Sequence, residues 1–172
     1  YMPRYQSKKN SYYSPPEITR IVKHIRGNPK IKIIYDPRLD YSIGRTKSYV
    51  KSDFIVSISE NENYETLYLY SNANLNSIIN NDVIELESDL FFKISYYEKL
   101  IYPKFKEILL EFNHTKEYWT NWIKKTPNFK KYNNEILRSA LTLKLLTYQK
   151  TGAVLAAATT SLPETIGEER NW

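Results

Sequence analysis

The stretch DLFFKISYYEKLIYPKFKEILLEFNHTKEYWTNWIKK, residues 89–125, contains the change of hydrophobic period that decides the fold. In its first part, alternate positions are apolar or aromatic and share one strand face: Leu90, Phe92, Ile94 and Tyr96. From Phe105 the spacing becomes three and four residues, which indicates an amphipathic helix, at Phe105, Ile108, Leu109, Phe112, Trp119, Trp122 and Ile123. We therefore predict a β-rich region followed by helices, with the change between residues 97 and 103.

Upstream of this stretch, short runs with strand periodicity are separated by polar turns. The predicted strands are 17–27, 30–35, 53–59, 64–71, 83–87 and 89–97. Gly27-Asn28-Pro29 is a strong turn signal between the first two strands. Residues 1–16 are predicted to form a loop or extended edge, and 72–81 an Asn-rich connection. This regular series indicates an antiparallel sandwich or barrel.

Two helices are predicted downstream. The first covers about 104–125 and should end near Thr126-Pro127, because the residue before a proline avoids helical geometry. The second covers about 133–148, with Asn133 or Asn134 as a possible N-cap and Gly152 shortly after its end. Its apolar residues cover more than one face, so this helix requires neighbours on several sides.

Composition excludes several classes of function. The 172 residues include 25 Lys+Arg, 19 Asp+Glu, two His and no Cys. The positive charges are dispersed, which argues against a nucleic-acid partner. Without cysteine, and with His24 and His114 far apart, we expect no metal and no cofactor. No stretch has the length of a membrane span and no signal-peptide core is visible, which favours the cytoplasm.

The C-terminal part carries a resemblance to a known family. HTKEYWTNWIKK (114–125) and EILRSALTLKLLTYQKTGAVLAAATTSLPETIGEERNW (135–172) closely resemble the domain junction of prokaryotic glycoside hydrolase family 15, which includes glucoamylases, glucodextranases and similar trehalases. The run EITRIVKHIRGNPKIKIIYDPRLDYSIGRT, residues 17–46, resembles part of their N-terminal β-sandwich. The resemblance covers essentially the whole chain.

This resemblance implies a two-domain enzyme and assigns this chain to part of it. Residues 1–103 would form the latter part of an antiparallel supersandwich, 104–131 a helical linker, and 132–172 the start of an (α/α)6 catalytic barrel. The implied activity is inverting, exo-acting hydrolysis of α-glucosidic bonds with release of glucose. Implied partners are an α-glucan, a maltooligosaccharide or trehalose, together with the remainder of the catalytic domain, and a homo-oligomer is possible.

The resemblance also limits which residues can be functional. The catalytic glutamates of the family lie further along the chain, so we expect none here and an inactive isolated fragment. Glu164, Glu168 and Glu169 are therefore interpreted as solvated loop residues rather than an acid/base pair. Arg170, Asn171 and Trp172 match the start of the family's sugar-binding motif and are expected at the rim of the substrate pocket.

Two further interpretations remain open at the level of sequence. Trp119 and Trp122 could form a sugar-stacking platform, but their spacing favours core packing. Tyr68, Tyr70, Tyr96 and Tyr97 are typical of half-buried strand faces. An alternative function is a non-catalytic β-module with a helical tail that binds carbohydrate or a partner chain.

Overall fold

The computed structural model of the protein describes residues 1–9, 11–148 and 151–155. The chain divides into two compact units, of which the first is Tyr1–Tyr118 and the second begins at Trp119. The division falls within a helix. The domain boundaries expected from the family resemblance stay a prediction.

The described residues form β-strands, interrupted by one short helix, up to Tyr96 and two longer helices afterwards, as the change of period predicts. The strands are β1 (Tyr5–Lys8), β2 (Ser11–Tyr13), β3 (Glu17–Val22), β4 (Lys30–Lys32), β5 (Thr46–Val50), β6 (Ile55–Ser59), β7 (Thr66–Ser71), β8 (Val83–Glu85) and β9 (Leu90–Tyr96). The α-helices are α1 (Leu75–Ile79), α2 (Phe105–Ile123) and α3 (Asn133–Leu145). The predicted fold class, antiparallel β structure followed by helices, is confirmed.

The main sheet has five strands in the order β3-β9-β7-β6-β5, and every pair is antiparallel. β6 and β7 are the adjacent strands that the alternating pattern predicts, whereas β5, which was not predicted as a strand, pairs with β6 and completes a three-stranded meander. The turn at Gly27-Asn28-Pro29 does not join a hairpin, however. β3 pairs with β9 and β4 pairs with β8, although both β8 and β9 come from much later in the chain.

One face of the main sheet is apolar and is covered by α1 and by segments around β4 and β8. Its buried cluster consists of Ile55, Leu69, Ile78, Leu86, Leu90 and Phe92. Ile31, Ile33 and Tyr35 pack against this cluster, as expected from their shared face in the sequence. Burying such side chains supplies most of the stabilisation of a small β-domain, at about 1.5–3 kcal/mol for a large apolar residue.

The opposite face of the sheet meets the first half of α2. Ile108 of α2 is buried with Tyr70 and Phe91, which come from β7 and β9. The Phe91 ring lies 6.1 Å from the Phe105 ring, measured between centroids. β9 is therefore buried on both faces, and its α2-facing side combines Phe91 with the buried polar residues Lys93 and Ser95.

The Asn-rich connection between β7 and β8 contains a helix that its composition did not predict. Asn74 caps α1: its side-chain oxygen accepts hydrogen bonds from the backbone N–H groups of Asn76 (2.9 Å) and Ser77 (3.2 Å). Ile78 of α1 is buried in the apolar cluster. The Asn74 cap and the packing of Leu75, Ile78 and Ile79 on the apolar cluster together order these five residues of helix.

Helix α3 confirms the second predicted helix but not its predicted cap. Its N-cap position is Tyr132, in a left-handed conformation (φ 56°) and without a side-chain cap. Asn133 instead accepts a hydrogen bond from the Phe129 N–H at 3.0 Å. None of the thirteen residues of α3 is buried.

Within the described part of the chain, no helix is long and apolar enough to cross a membrane.

Candidate functional site

The sequence-predicted substrate residues Arg170, Asn171 and Trp172 lie outside the described residues, as do Glu164, Glu168 and Glu169. Their expected roles stay predictions. The described residues comprise the β-rich unit and the helices that follow it, up to Leu155.

Histidines and carboxylates do not gather into a metal site within the described residues, where no group of three or more potential ligands is present. His24 is engaged locally, since its Nε2 lies 2.5 Å from the Gly27 carbonyl oxygen and its backbone N–H donates to Asp89 Oδ1 at 2.8 Å. The His114 ring packs against Tyr5 with centroids 5.1 Å apart.

A buried ionic group occupies the α2-facing side of the main sheet. We call it the Lys93 cluster, and it consists of Lys93, Glu17, Glu111 and Tyr1. The Lys93 ammonium lies 2.6 Å from Glu17 Oε2 and 2.9 Å from Glu111 Oε2. The Tyr1 hydroxyl lies 2.9 Å from Glu111 Oε1 and 2.9 Å from the carbonyl oxygen of Ile108, which are two acceptors for its single proton.

Strand register and helix periodicity place these groups together. Glu17 is paired with Ser95 and Lys93 with Thr19, so both charged residues point to the same face of the β3-β9 pair. Glu111 follows Ile108 by three residues and therefore lies on the same side of α2 as that buried residue. Sequence reasoning missed this cluster, because its members come from positions 1, 17, 93 and 111.

The cluster holds two carboxylates and one ammonium in a poorly hydrated space. The side chains of Lys93 and Glu17 are only 5% and 1% exposed. Burial raises the pKa of Glu17, and the Lys93 ammonium opposes that rise. Burial and the neighbouring Glu111 carboxylate likewise raise the pKa of the Tyr1 hydroxyl. A substrate could not reach Glu17 or Lys93. We therefore infer that the cluster is structural and holds α2 and the N-terminal segment against the sheet.

A shallow polar cleft of about 460 Å³ lies elsewhere in the first unit. It is lined by Val50, Lys51, Ser52, Asp53, Ser71, Asn72, Ala73, Asn74, Leu75, Asn76 and Tyr102. Several of its polar groups already have partners. Asn72 bonds to Phe91 and Asp89, and the Tyr102 hydroxyl donates to the Ser71 carbonyl at 3.1 Å. The amide and carboxylate lining is compatible with a polyhydroxylated ligand, but offers no acid/base pair.

A strained turn is found at Asp40–Ser42. Its three residues all have positive φ angles, of 49°, 51° and 64°. Left-handed backbone costs a residue with a side chain about 1–2 kcal/mol, so three in succession persist only where neighbours enforce them. The turn is compact, because the Ile43 N–H donates to the Asp40 carbonyl at 2.9 Å. We call this segment the left-handed turn.

The aromatic residues that the sequence analysis singled out are divided between core and surface. Tyr70 is fully buried, and its hydroxyl donates to the carbonyl oxygen of Leu100 at 3.1 Å. Tyr97 is exposed and follows β9 with a positive φ. Trp119 and Trp122 are half-buried in the second unit.

Comparison with curated proteins identifies trehalases as relatives. The chain is 32% identical to a trehalase of Thermoplasma acidophilum over 175 residues and 30% identical to a trehalase of Thermoplasma volcanium over 176, in both cases across 100% of this chain. A trehalase of Mycobacterium tuberculosis is 32% identical over 166 residues, or 90% of this chain. The chain is homologous to part of these trehalases. The trehalase side of the family resemblance is thereby confirmed.

The similarity covers a minority of each relative. The chain spans 29%, 27% and 24% of the length of these three trehalases. No family model matches the chain, and no solved structure gives a significant match. The similarity is therefore confined to less than a third of each of these trehalases, although it covers all or most of this chain.

Proposed function

We propose that this chain is the β-rich part and first helices of an inverting trehalase of the glycoside hydrolase family 15 type. The observation that carries this proposal is the similarity to trehalases over the full length of the chain. The order of elements supports it, since antiparallel β structure precedes the helices α2 and α3. In this proposal α3 is the first helix of an (α/α)6 barrel, and its lack of buried residues reflects missing neighbours.

The proposed reaction requires two carboxyl groups from outside the described residues. In an inverting hydrolase one carboxylic acid protonates the glycosidic oxygen, and a carboxylate about 6.5–9.5 Å away activates water on the opposite face of the sugar. The Lys93 cluster does not meet this requirement. Its two carboxylates share one ammonium, so their contacting oxygens are at most about 5.5 Å apart, and Glu17 is inaccessible.

The products define the stereochemical test. In trehalose two α-glucosyl units share one oxygen. Water attacks one anomeric carbon with inversion and forms β-glucose, while the protonated leaving group departs as α-glucose. Equal initial amounts of the two anomers are therefore expected, whereas a retaining enzyme would release α-glucose alone.

The experiment compares this chain with the parent polypeptide on trehalose, maltose and maltooligosaccharides, with anomers followed by proton NMR before mutarotation. We expect the parent to hydrolyse trehalose with inversion and the 172-residue chain to be inactive. Release of α-glucose alone would contradict the inverting mechanism. Hydrolysis of maltooligosaccharides but not trehalose would favour a glucoamylase activity, and activity of the short chain would place catalytic groups within it.

The polar cleft at Lys51–Asp53 and Asn72–Asn76 supports a second candidate, a non-catalytic carbohydrate-binding module. Inactivity of both polypeptides, together with saturable binding of a glucoside that Asn76→Ala weakens, would favour that alternative. Asn76 suits this test because it lines the cleft, whereas Asn74 also caps α1.

A further inference from the structure

The left-handed turn at Asp40–Ser42 is held in its conformation by groups from distant parts of the first unit. The Asp40 N–H donates to Glu65 Oε2 at 2.6 Å, and the Tyr96 hydroxyl donates to the other oxygen of that carboxylate at 2.6 Å. Asn63 donates to Asp40 Oδ1 at 3.3 Å, and Asn61 donates to Asp40 Oδ2. The buried Asp40 carboxylate is thus fixed from two directions, which is the over-determination that strained backbone requires.

The residues next to this anchor leave little freedom for the turn to relax. The Leu39 N–H donates to Thr46 Oγ1 at 3.0 Å, so the start of the turn is tied to the first residue of β5. A Cβ atom on Gly44 would lie 2.9 Å from Cγ of Asn61, the side chain that donates to Asp40. The glycine therefore permits a close approach that keeps the carboxylate enclosed.

This rigid support presents two apolar side chains to solvent. Tyr41 is 83% exposed and Ile43 is 76% exposed, on either side of the exposed Ser42. A tyrosine and a branched aliphatic residue on preorganised backbone lose little conformational entropy when they become buried, which favours them as contact residues. The stability of this unit alone does not explain why a strained turn holds two apolar side chains in solvent.

We propose that Tyr41 and Ile43 form a docking contact for the part of the parent polypeptide that lies outside these 172 residues. This inference rests on the proposed function. We choose the remainder of the parent polypeptide as the docking partner because the trehalase relatives are matched over only 24–29% of their length. Most of each relative could therefore supply the partner surface. An isoleucine offers no hydrogen bond to sugar hydroxyls, and neither residue lines the polar cleft, so an apolar protein surface fits the pair better than a glucoside.

The test uses the parent polypeptide with a photo-cross-linking residue, p-benzoylphenylalanine, in place of Tyr41, and mass spectrometry to locate the cross-link. We expect the linked peptide to lie outside these 172 residues. Tyr41→Ala should also lower the urea midpoint of the parent, whereas Ile25→Ala should not. Ile25 is the control because it is 82% exposed, lies between β3 and β4, and is not among the residues that hold the left-handed turn.

Each alternative occupant gives a distinct result. A cross-link within these 172 residues, a cross-linked dimer or no cross-link would overturn the docking contact. A raised KM for trehalose in Tyr41→Ala, with an unchanged urea midpoint, would instead assign Tyr41 to the substrate. If the parent fails to hydrolyse trehalose but the cross-link forms outside these residues, the proposed function is wrong and the docking contact stands.

Discussion

The two faces of the main sheet are built on opposite principles. One face is closed mainly by apolar side chains, among them Ile55, Leu69 and Phe92. The other combines Tyr70, Phe91 and Ile108 with the buried charges of the Lys93 cluster. The apolar face depends mainly on matched shape and volume, whereas the charged face also needs one ammonium placed between two carboxylates.

This difference has a consequence for robustness. Apolar contacts are non-directional, so loss of a methyl group leaves the other contacts of the core intact. A buried ammonium with two carboxylates has no such tolerance for loss of the ammonium, because both carboxylates are then desolvated without a cation. The charged face therefore specifies how the first half of α2 and the N-terminal segment lie on the sheet, at a higher cost when one member is lost.

The largest effect is expected from Lys93→Met. This substitution retains a long apolar stem but leaves Glu17 and Glu111 facing each other without a cation. We expect the free energy of unfolding at pH 7 to fall by about 3–5 kcal/mol, measured by urea denaturation. Lys47→Met is the control, because Lys47 forms an exposed ion pair with Glu60 and its loss should leave the urea midpoint unchanged.

Replacing the whole charged group would sharpen the same comparison. In a Glu17→Leu, Lys93→Met, Glu111→Leu variant no unpaired charge remains, so we expect most of the stability lost in Lys93→Met to return. If the triple variant is as unstable as Lys93→Met, the stability lost in Lys93→Met arises from packing of the lysine stem and not from loss of charge compensation.

A smaller effect is expected on the apolar face. Ile55→Val removes one methyl group from a fully buried position and should cost about 0.5–1.5 kcal/mol in urea denaturation. The same change at the exposed Ile25 is the matched control and should have no measurable effect. If Ile55→Val lowers the free energy of unfolding as much as Lys93→Met does, the proposed contrast between the two faces is wrong.

The smallest effect concerns the pH dependence of stability. Burial raises the pKa of Glu17 above its ordinary value of 4.5. At pH values between 4.5 and this raised pKa, Glu17 is protonated in the folded chain but ionised in the unfolded chain. The free energy of unfolding should therefore fall as the pH rises through that window. Glu17→Gln should flatten this slope, while Glu62→Gln, in the turn after β6, should retain it. An unchanged slope in Glu17→Gln would mean that another group titrates there.

Local patterns in the sequence were sufficient for most of the elements themselves. Alternation predicted strands β6 and β7 of the meander, and the three- and four-residue spacing from Phe105 predicted α2. They were insufficient for α1, where five residues depend on the Asn74 cap and on burial of Ile78. They also failed at the start of α3, where Tyr132 rather than an asparagine occupies the cap position.

By itself, then, the sequence determined most of the strands, the two long helices and which known proteins the chain resembles, because these depend on the order of residues along the chain. Only the tertiary structure decided that β3 pairs with β9, that Lys93 is buried between Glu17 and Glu111, and that Asp40 holds a left-handed turn. In each case the partners are far apart in sequence. Their stabilisation arises from desolvation and long-range contacts, which no local period encodes.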